Sequence, residues 1–187
     1  MQGEPEVAVC RLAHRPGRDD RMTTHVGLTA RALGADRVIY PDNADQSRRT
    51  VEDITGRFGG PFEVELVEST SRIVRNWDGS VVHLTMYGER VQDVEEEIRA
   101  VRAGDGDADA GDPLLVVVGS EKVSFDIYET ADWNVAVTNQ PHSEVAGLAV
   151  FLDRLFDGRE LDREWADAES RVVPMETGKR VVPADEE

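Results

Sequence analysis

An α/β domain, built on a largely parallel sheet flanked by helices, is the fold class that this sequence predicts. Three observations carry it. Short apolar runs of strand length alternate with segments of helical periodicity along most of the chain. One of them, "PLLVVVG" (Pro113 to Gly119), is apolar without alternation, as a central strand buried on both faces requires. The third is the segment that Ser143 opens: Val145, Leu148, Ala149, Leu152, Leu155 and Phe156 make the clearest apolar face at helical spacing.

Taken in order, "VAVCRL" (Val7 to Leu12) reads as a strand. "TTHVGLTARALG" follows as a helix with Thr23 or Thr24 as N-cap, apolar positions at Val26, Leu28, Ala30 and Leu33, and Gly34 as the stop. "RVIY" (Arg37 to Tyr40) is a second strand, and Ser47 to Phe58 a second helix ended by "GG". "FEVELV" (Phe62 to Val67) alternates, which marks a strand with one wetter face. "SVVHLTMYG" (Ser80 to Gly88) is a strand ending at Gly88, and a charged helix runs from about Val91 to Arg102. "AGDGDADAGD" (Ala103 to Asp112) has no core-forming residue and reads as a solvated loop. After the central strand, a short helix (Ser124 to Ala131) leads into "WNVAVTNQPH" and the helix at Ser143. Beyond Gly158 the alternation stops. The tail "RVVPMETGKRVVP" holds two "VV" pairs around Thr177 and Gly178, a small β-hairpin. The chain thus divides into a main domain, residues 1–158, and an extension with the hairpin, residues 159–187.

The totals narrow the class of protein. A chain of 187 residues is long enough for one domain with a full core, and 40% hydrophobic residues suit a soluble globular protein. No apolar run approaches the ~20 residues of a membrane span, and "MQGEPEVAVC" lacks the basic start and apolar stretch of a signal peptide. A cytoplasmic location is expected. Lys and Arg number 21 against 38 Asp and Glu, a net charge of -17, with the acids spread along the length and Lys122 and Lys179 as the only lysines. That pattern resembles a salt-adapted surface. Cys10 is the single cysteine, so no intrachain disulfide or cysteine metal site forms, and its apolar neighbours mark it as a buried small hydrophobe. His14, His25, His83 and His142 lie in different elements, and no metal is expected. No GxGxxG follows the first strand, and "GSEKVS" has the wrong spacing for a phosphate-binding loop, which argues against hydride transfer and kinase chemistry.

In open α/β sheets ligands gather outside the carboxyl ends of the strands. Three such ends carry small or polar residues directly after an apolar run: "HLTMYG", "VVVGSEKV" and "VAVTNQPHSEV". A second local anomaly is "RLAHRPGRDDRMTTH" (Arg11 to His25), which packs four arginines and two histidines into an acidic chain.

Together and in this order, "RLAHRPGRDDRMTTHVGLTARALGAD", "LTMYG", "GSEKV" and "NVAVTNQPHSEVAGLAVFLDRLF" resemble the archaeal tRNA (cytidine(56)-2'-O)-methyltransferases of the SPOUT superfamily. The similarity covers roughly Val7 to Phe156 and the tail. It implies a C-terminal trefoil knot, a homodimer, tRNA as substrate and S-adenosylmethionine as methyl donor, held by the knot loops. Carried over by motif, the donor-binding positions are Leu84, then Gly119, Ser120, Glu121, Lys122 and Val123, then Val137, Thr138, Asn139, Gln140, Pro141, His142, Ser143 and Glu144. The implied reaction methylates the ribose 2'-hydroxyl of the T-loop cytidine at position 56. Two departures stand out. "GDGDADAGD" is an acidic insertion, and Asp19 and Asp20 dilute the arginine cluster.

The resemblance puts Pro16 to Arg21 in the place of the superfamily's first motif, which makes Arg21 the first candidate for the group at the 2'-oxygen. A guanidinium with a pKa above ~12 resists deprotonation, so its task is to clamp phosphate and stabilise developing negative charge. Arg18 and Arg15 are candidates for holding phosphates, and Arg31 is the alternative catalytic arginine, with Gly27 leaving room one turn earlier. His14 and His25 are candidates for RNA contact or for loop and cap roles. Two other classes stay open: a non-catalytic adenine-nucleotide-binding module, and a plain RNA-binding protein. Lys179 and Arg180 of the hairpin either meet RNA or cover the domain edge.

Overall fold

The computed structural model describes residues 5–104, 111–119 and 122–186. Strands β1 (Val7–Arg11), β2 (Arg37–Pro41), β3 (Glu63–Val67), β4 (Ser80–Arg90), β5 (Leu114–Val118) and β6 (Trp133–Ala136) form one sheet in the order β3-β2-β1-β5-β4-β6. Every pairing in it is parallel. All five residues of β1 and of β5 are buried, so the unbroken apolar run does mark the centre of the sheet.

Successive side chains of a strand point to opposite faces, and the core divides accordingly. Val7, Val9, Val116 and Val118 meet α1 (Asp20–Ala32), α2 (Asp45–Phe58), α4 (Val91–Ala103) and α6 (Glu144–Phe156). Ala8, Cys10, Leu115 and Val117 meet the thinner layer of α3 (Thr70–Arg75) and α5 (Phe125–Thr130). Cys10 is fully buried there, and burial, helped by the Glu65 charge, pushes its thiol up to about 12. It is a packing residue. The tail forms the expected hairpin, β7 (Ser170–Val173) with β8 (Arg180–Pro183), antiparallel with Val172 opposite Val181. The backbone N–H of Glu169 donates to the Arg57 carbonyl at 3.1 Å, which ties the hairpin to the end of α2.

Several expectations need correction. α1 begins at Asp20, three residues before the first predicted cap, because Thr23 turns inward to bond other side chains. Arg21 therefore lies in a helix and not in a loop. Gly27 leaves room for Tyr40, not for a ligand beside Arg31: an added Cβ would overlap the Tyr40 hydroxyl. Six residues, "TSRIVR", form α3, too short a stretch to show helical periodicity. The apolar face of α6 is used up inside the chain, with Leu148, Phe151, Leu152, Leu155 and Phe156 all buried. Most of the loop from Ala103 to Asp112 falls outside the described residues. No helix among the described residues is long and apolar enough to cross a membrane.

Candidate active site

Parallel pairing places the carboxyl ends of β1, β5 and β4 side by side, with both Arg11 and Leu84 in register with Val118. The segments that leave these strands share one edge of the sheet. β4 then departs from regular pairing: Leu84 and Glu89 both oppose Val135 of β6, so Thr85 to Gly88 bulge out of the ladder. Gly88 is what permits the return, since any side chain there would overlap the Asn134 carbonyl. The Asn139 amide holds the bulge from outside, donating from Nδ2 to the carbonyls of Met86 at 2.8 Å and Gly88 at 3.2 Å. On its other flank the Thr85 hydroxyl lies 3.2 Å from that of Tyr128.

Between the bulge, the end of β5 and the start of α6 lies a cavity of about 180 Å³. Leu84, Val118 and Val123 make its apolar part, and Gly119, His142 and Glu144 border it. Gly147 leaves the space that the His142 ring occupies, with Cε1 3.0 Å from where a Cβ would stand. Ser143 caps α6, its hydroxyl accepting from the Ala146 N–H at 3.2 Å. The volume is below the ~300–1,000 Å³ of clefts that enclose a whole drug-sized ligand, so it takes a portion of one. A second cavity, about 340 Å³, lies under α3. Its Arg37 is already committed to Glu6 at 2.7 Å and Glu65 at 3.1 Å.

Arg11, at the tip of β1, connects this edge to the arginine-rich segment. Only 1% of it is exposed. It donates to Glu144 from Nε at 3.2 Å and Nη2 at 3.1 Å, and to the Thr23 hydroxyl. Burial raises the pKa of Glu144, and the Arg11 charge opposes that rise. Thr23 also meets His14 Nδ1 at 2.8 Å, while His14 Nε2 lies 3.1 Å from Asp20. Arg15 grips Asp19 with Nε and Nη2, each at 2.9 Å. That hydrogen bonding holds the Asp19 carboxyl down at about 2. The local carboxylates do more than dilute the cluster: they fold it.

Comparison with known proteins gives the site its context. The family model described as "tRNA ribose 2'-O-methyltransferase, aTrm56" matches residues 58–182. A Natronomonas pharaonis protein named tRNA (cytidine(56)-2'-O)-methyltransferase is 68% identical over 187 residues, all of both chains. One of the same name from Thermococcus kodakarensis is 51% identical over 179 residues, 94% of this chain and 96% of that one. The chain belongs to this family. Its fold is shared with a probable methyltransferase from Bordetella pertussis, with TM-score 0.60 at 12% identity, covering 84% of this chain and 96% of that one. It is shared too with the SpoU methyltransferase AviRb of Streptomyces viridochromogenes, solved with AdoMet, with TM-score 0.54 at 15% identity. There the match covers 86% of this chain and 60% of AviRb.

The structure brings only some of the sequence-derived positions together. Leu84, Gly119, Val123, His142 and Glu144 all line the cavity. Asn139 and Ser143 shape its loops through the bonds given above, and Val137 packs against the core. Lys122, Thr138, Gln140 and Pro141 are exposed. Ser120 and Glu121 fall outside the described residues. Of the basic candidates, Arg21 and His25 are exposed and one turn apart on α1, hence on one face. The Arg21 side chain makes no ion pair or hydrogen bond among the described residues, and Arg18 is exposed just before the helix. His14 is buried. Arg31 sits at the far end of α1, half-buried, donating to the Gly59 carbonyl at 2.6 Å. Sequence reasoning did not single out Arg11, Tyr128 or the cavity role of His83. A charged residue closing the otherwise apolar run "VAVCRL" was the available signal for the first.

Proposed function

We propose that the chain transfers a methyl group from S-adenosylmethionine to the 2'-hydroxyl of the cytidine at position 56 of tRNA, acting in the cytoplasm. The observation that carries this reading is the cavity at the strand ends, lined by five of the positions assigned to the donor, in a chain of this family. The fit to the donor rests on shape and chemistry. An apolar slot of Leu84, Val118 and Val123 suits adenine, while Gly119 and the polar start of α6 suit ribose and amino-acid groups. When bound, S-adenosylmethionine supplies the electrophilic methyl group.

The residues of this chain position the acceptor. Positioning alone supplies ~7–11 kcal/mol in favourable cases. Arg21 and Arg18 hold the phosphate beside the target ribose, and Arg21 stabilises the developing 2'-oxyanion while keeping its own proton. A phosphate oxygen or water takes the hydroxyl proton. His25 adds a contact on the same face of α1. Arg15, bound to Asp19, and His14, bound to Thr23 and Asp20, shape the segment that presents them. Arg31 anchors the last turn of α1 to the end of α2 through the Gly59 carbonyl.

Two further parts of the reading follow the superfamily. The C-terminal part of the sheet is threaded as a trefoil knot, consistent with β5 lying between β1 and β4, two strands that precede it in the chain. The chain pairs as a homodimer, for which Tyr87, Phe125 and Val150 offer exposed apolar surface, 74%, 73% and 42% exposed.

The test is labelled-methyl transfer to unmodified tRNA and to tRNA in which the T-loop cytidine is replaced. Incorporation into the first alone supports the reading, and none into either returns the chain to a nucleotide- or RNA-binding role. Within it, Arg21→Ala should lower turnover ~100-fold or more and leave S-adenosylhomocysteine affinity within about 2-fold. Unchanged turnover removes Arg21 from the reaction.

A further inference from the structure

β4 carries one polar ring into the interior. His83 is fully buried, on the same face of the sheet as Val81, with its ring edge-on to Tyr128 at a centroid distance of 4.7 Å. Its Nδ1 lies 2.9 Å from Asn134 Oδ1, and Asn134 Nδ2 donates to the Tyr128 carbonyl at 2.9 Å. The two bonds fix each other's polarity. A carbonyl oxygen only accepts, so the amide nitrogen of Asn134 faces Tyr128, its oxygen faces His83, and Nδ1 carries the imidazole proton. Nε2 is left with a lone pair and nothing to donate.

That lone pair is unanswered. Nε2 is buried without a hydrogen-bond partner among the described residues, and His83 forms part of the cavity wall. No other buried side-chain atom without a hydrogen-bond partner belongs to a described residue that borders the cavity. A half-satisfied buried histidine is worse for stability than an apolar ring of the same shape, which would pack on Tyr128 equally well. The network around Asn134 uses two hydrogen bonds to set the tautomer of a ring whose acceptor serves no described residue. A fixed, unanswered acceptor on a residue of the cavity wall is suited to recognition.

We propose that His83 Nε2 accepts a hydrogen bond from the nucleoside part of the methyl donor, an adenine N–H or a ribose O–H, and selects for ligands that carry it. This rests on the donor reading above. His83 is then a binding residue, and Asn134 a positioning residue that acts through it.

Calorimetric titration of the full-length chain with S-adenosylhomocysteine tests it, using His83→Phe, which keeps the ring and loses the acceptor, and His83→Gln, whose amide oxygen reaches close to the Nε2 position. The expected result is a loss of affinity of about 10-fold or more for His83→Phe and a smaller loss for His83→Gln, with melting temperatures near wild type. Analogues divide the two sources. If S-inosylhomocysteine binds wild type weakly and His83→Phe no worse than wild type, the amine is the donor; the same pattern with a deoxyribose analogue assigns the hydroxyl. His83→Phe binding within about 2-fold of wild type overturns the inference. A variant that fails to fold leaves the second measurement, the ¹⁵N resonance of Nε2 in the wild-type chain. On addition of S-adenosylhomocysteine it should move toward the value of a hydrogen-bonded nitrogen, and binding that leaves it unmoved overturns the inference alone. Absence of any binding to wild type overturns the donor reading itself.

Discussion

Arg11 and Glu144 form one ion pair, but their two surroundings differ enough that removing either partner has a different cost. The Arg11 side chain is 2% exposed and that of Glu144 28%. Without the Glu144 carboxylate, the guanidinium is left inside the fold with Thr23 as its remaining side-chain partner among the described residues. Without Arg11, the carboxylate has water within reach, and burial already favours its protonated form. Breaking a buried pair so that a charge is stranded costs ~3–5 kcal/mol, and Glu144→Ala should fall in that range in denaturant unfolding. Arg11→Met should cost ~1–3 kcal/mol. Equal losses would show that the pair acts symmetrically. Asp19 gives the pH counterpart. Its folded pKa, about 2, lies below the ordinary carboxylate value, mainly through the Arg15 hydrogen bonds. The stability it contributes is therefore fully present above ~pH 4, where an unfolded aspartate is ionised. It is lost as the pH falls from there to about 2. Asp19→Asn should flatten the fall in stability between those limits, and an unchanged slope there would assign it to other groups.

At the scale of elements, α1 is fixed by its fit to β2 more than by its caps. Among the described contacts its N-cap, Asp19, makes no capping hydrogen bond. What holds its first half is the Tyr40 hydroxyl, which donates to the Thr23 carbonyl at 2.8 Å and occupies the space that Gly27 leaves. Gly27→Ala forces that hydroxyl away and should cost ~1–3 kcal/mol as overpacking. Tyr40→Phe removes the nearest clashing atom and leaves the milder contact with Val51, so the double variant should be more stable than the sum of the two single losses predicts. Strict additivity in unfolding experiments would place the strain elsewhere. This dependence also explains what was legible in the sequence. β5 and α6 were plain because burial alone shapes them: an unbroken apolar run and a regular apolar face. The start of α1 was not, because Thr23, which reads as a cap, spends its hydroxyl on Arg11 and His14. The bulge in β4 hid in the same way, since "HLTMYG" has strand composition and only pairing with β6 shows the register shift. Gly119, Val123, His142 and Glu144, which line the cavity, were singled out through motif likeness. Arg11 and the Nε2 of His83 needed coordinates, because a buried polar atom is recognised by what it touches or fails to touch.

For the whole molecule the governing quantity is a net charge of -17 on 187 residues. Such a charge opposes the compact state through self-repulsion, and the arginines relieve little of it at long range because so many are paired locally. Arg15 with Asp19, Arg48 with Asp45 and Glu52, Arg90 with Asp93, and Arg154 with Glu95 are direct contacts of 2.6 to 3.0 Å. Salt acts differently on these two classes of interaction. Raising ionic strength from 0.1 to 1 M shortens the Debye length from ~10 Å to ~3 Å, which removes repulsion between carboxylates spread over the surface. Pairs at contact distance are weakened less, and the Arg11–Glu144 pair, largely out of solvent, least of all. Repulsion falls faster than attraction. The melting temperature should therefore rise between 0.1 and 1 M KCl, and a variant with several exposed glutamates of α4, such as Glu96 and Glu97, changed to glutamine should start higher and rise less. A melting temperature that falls with KCl in the wild-type chain would mean that attractive surface pairs, and not the net charge, dominate its electrostatics.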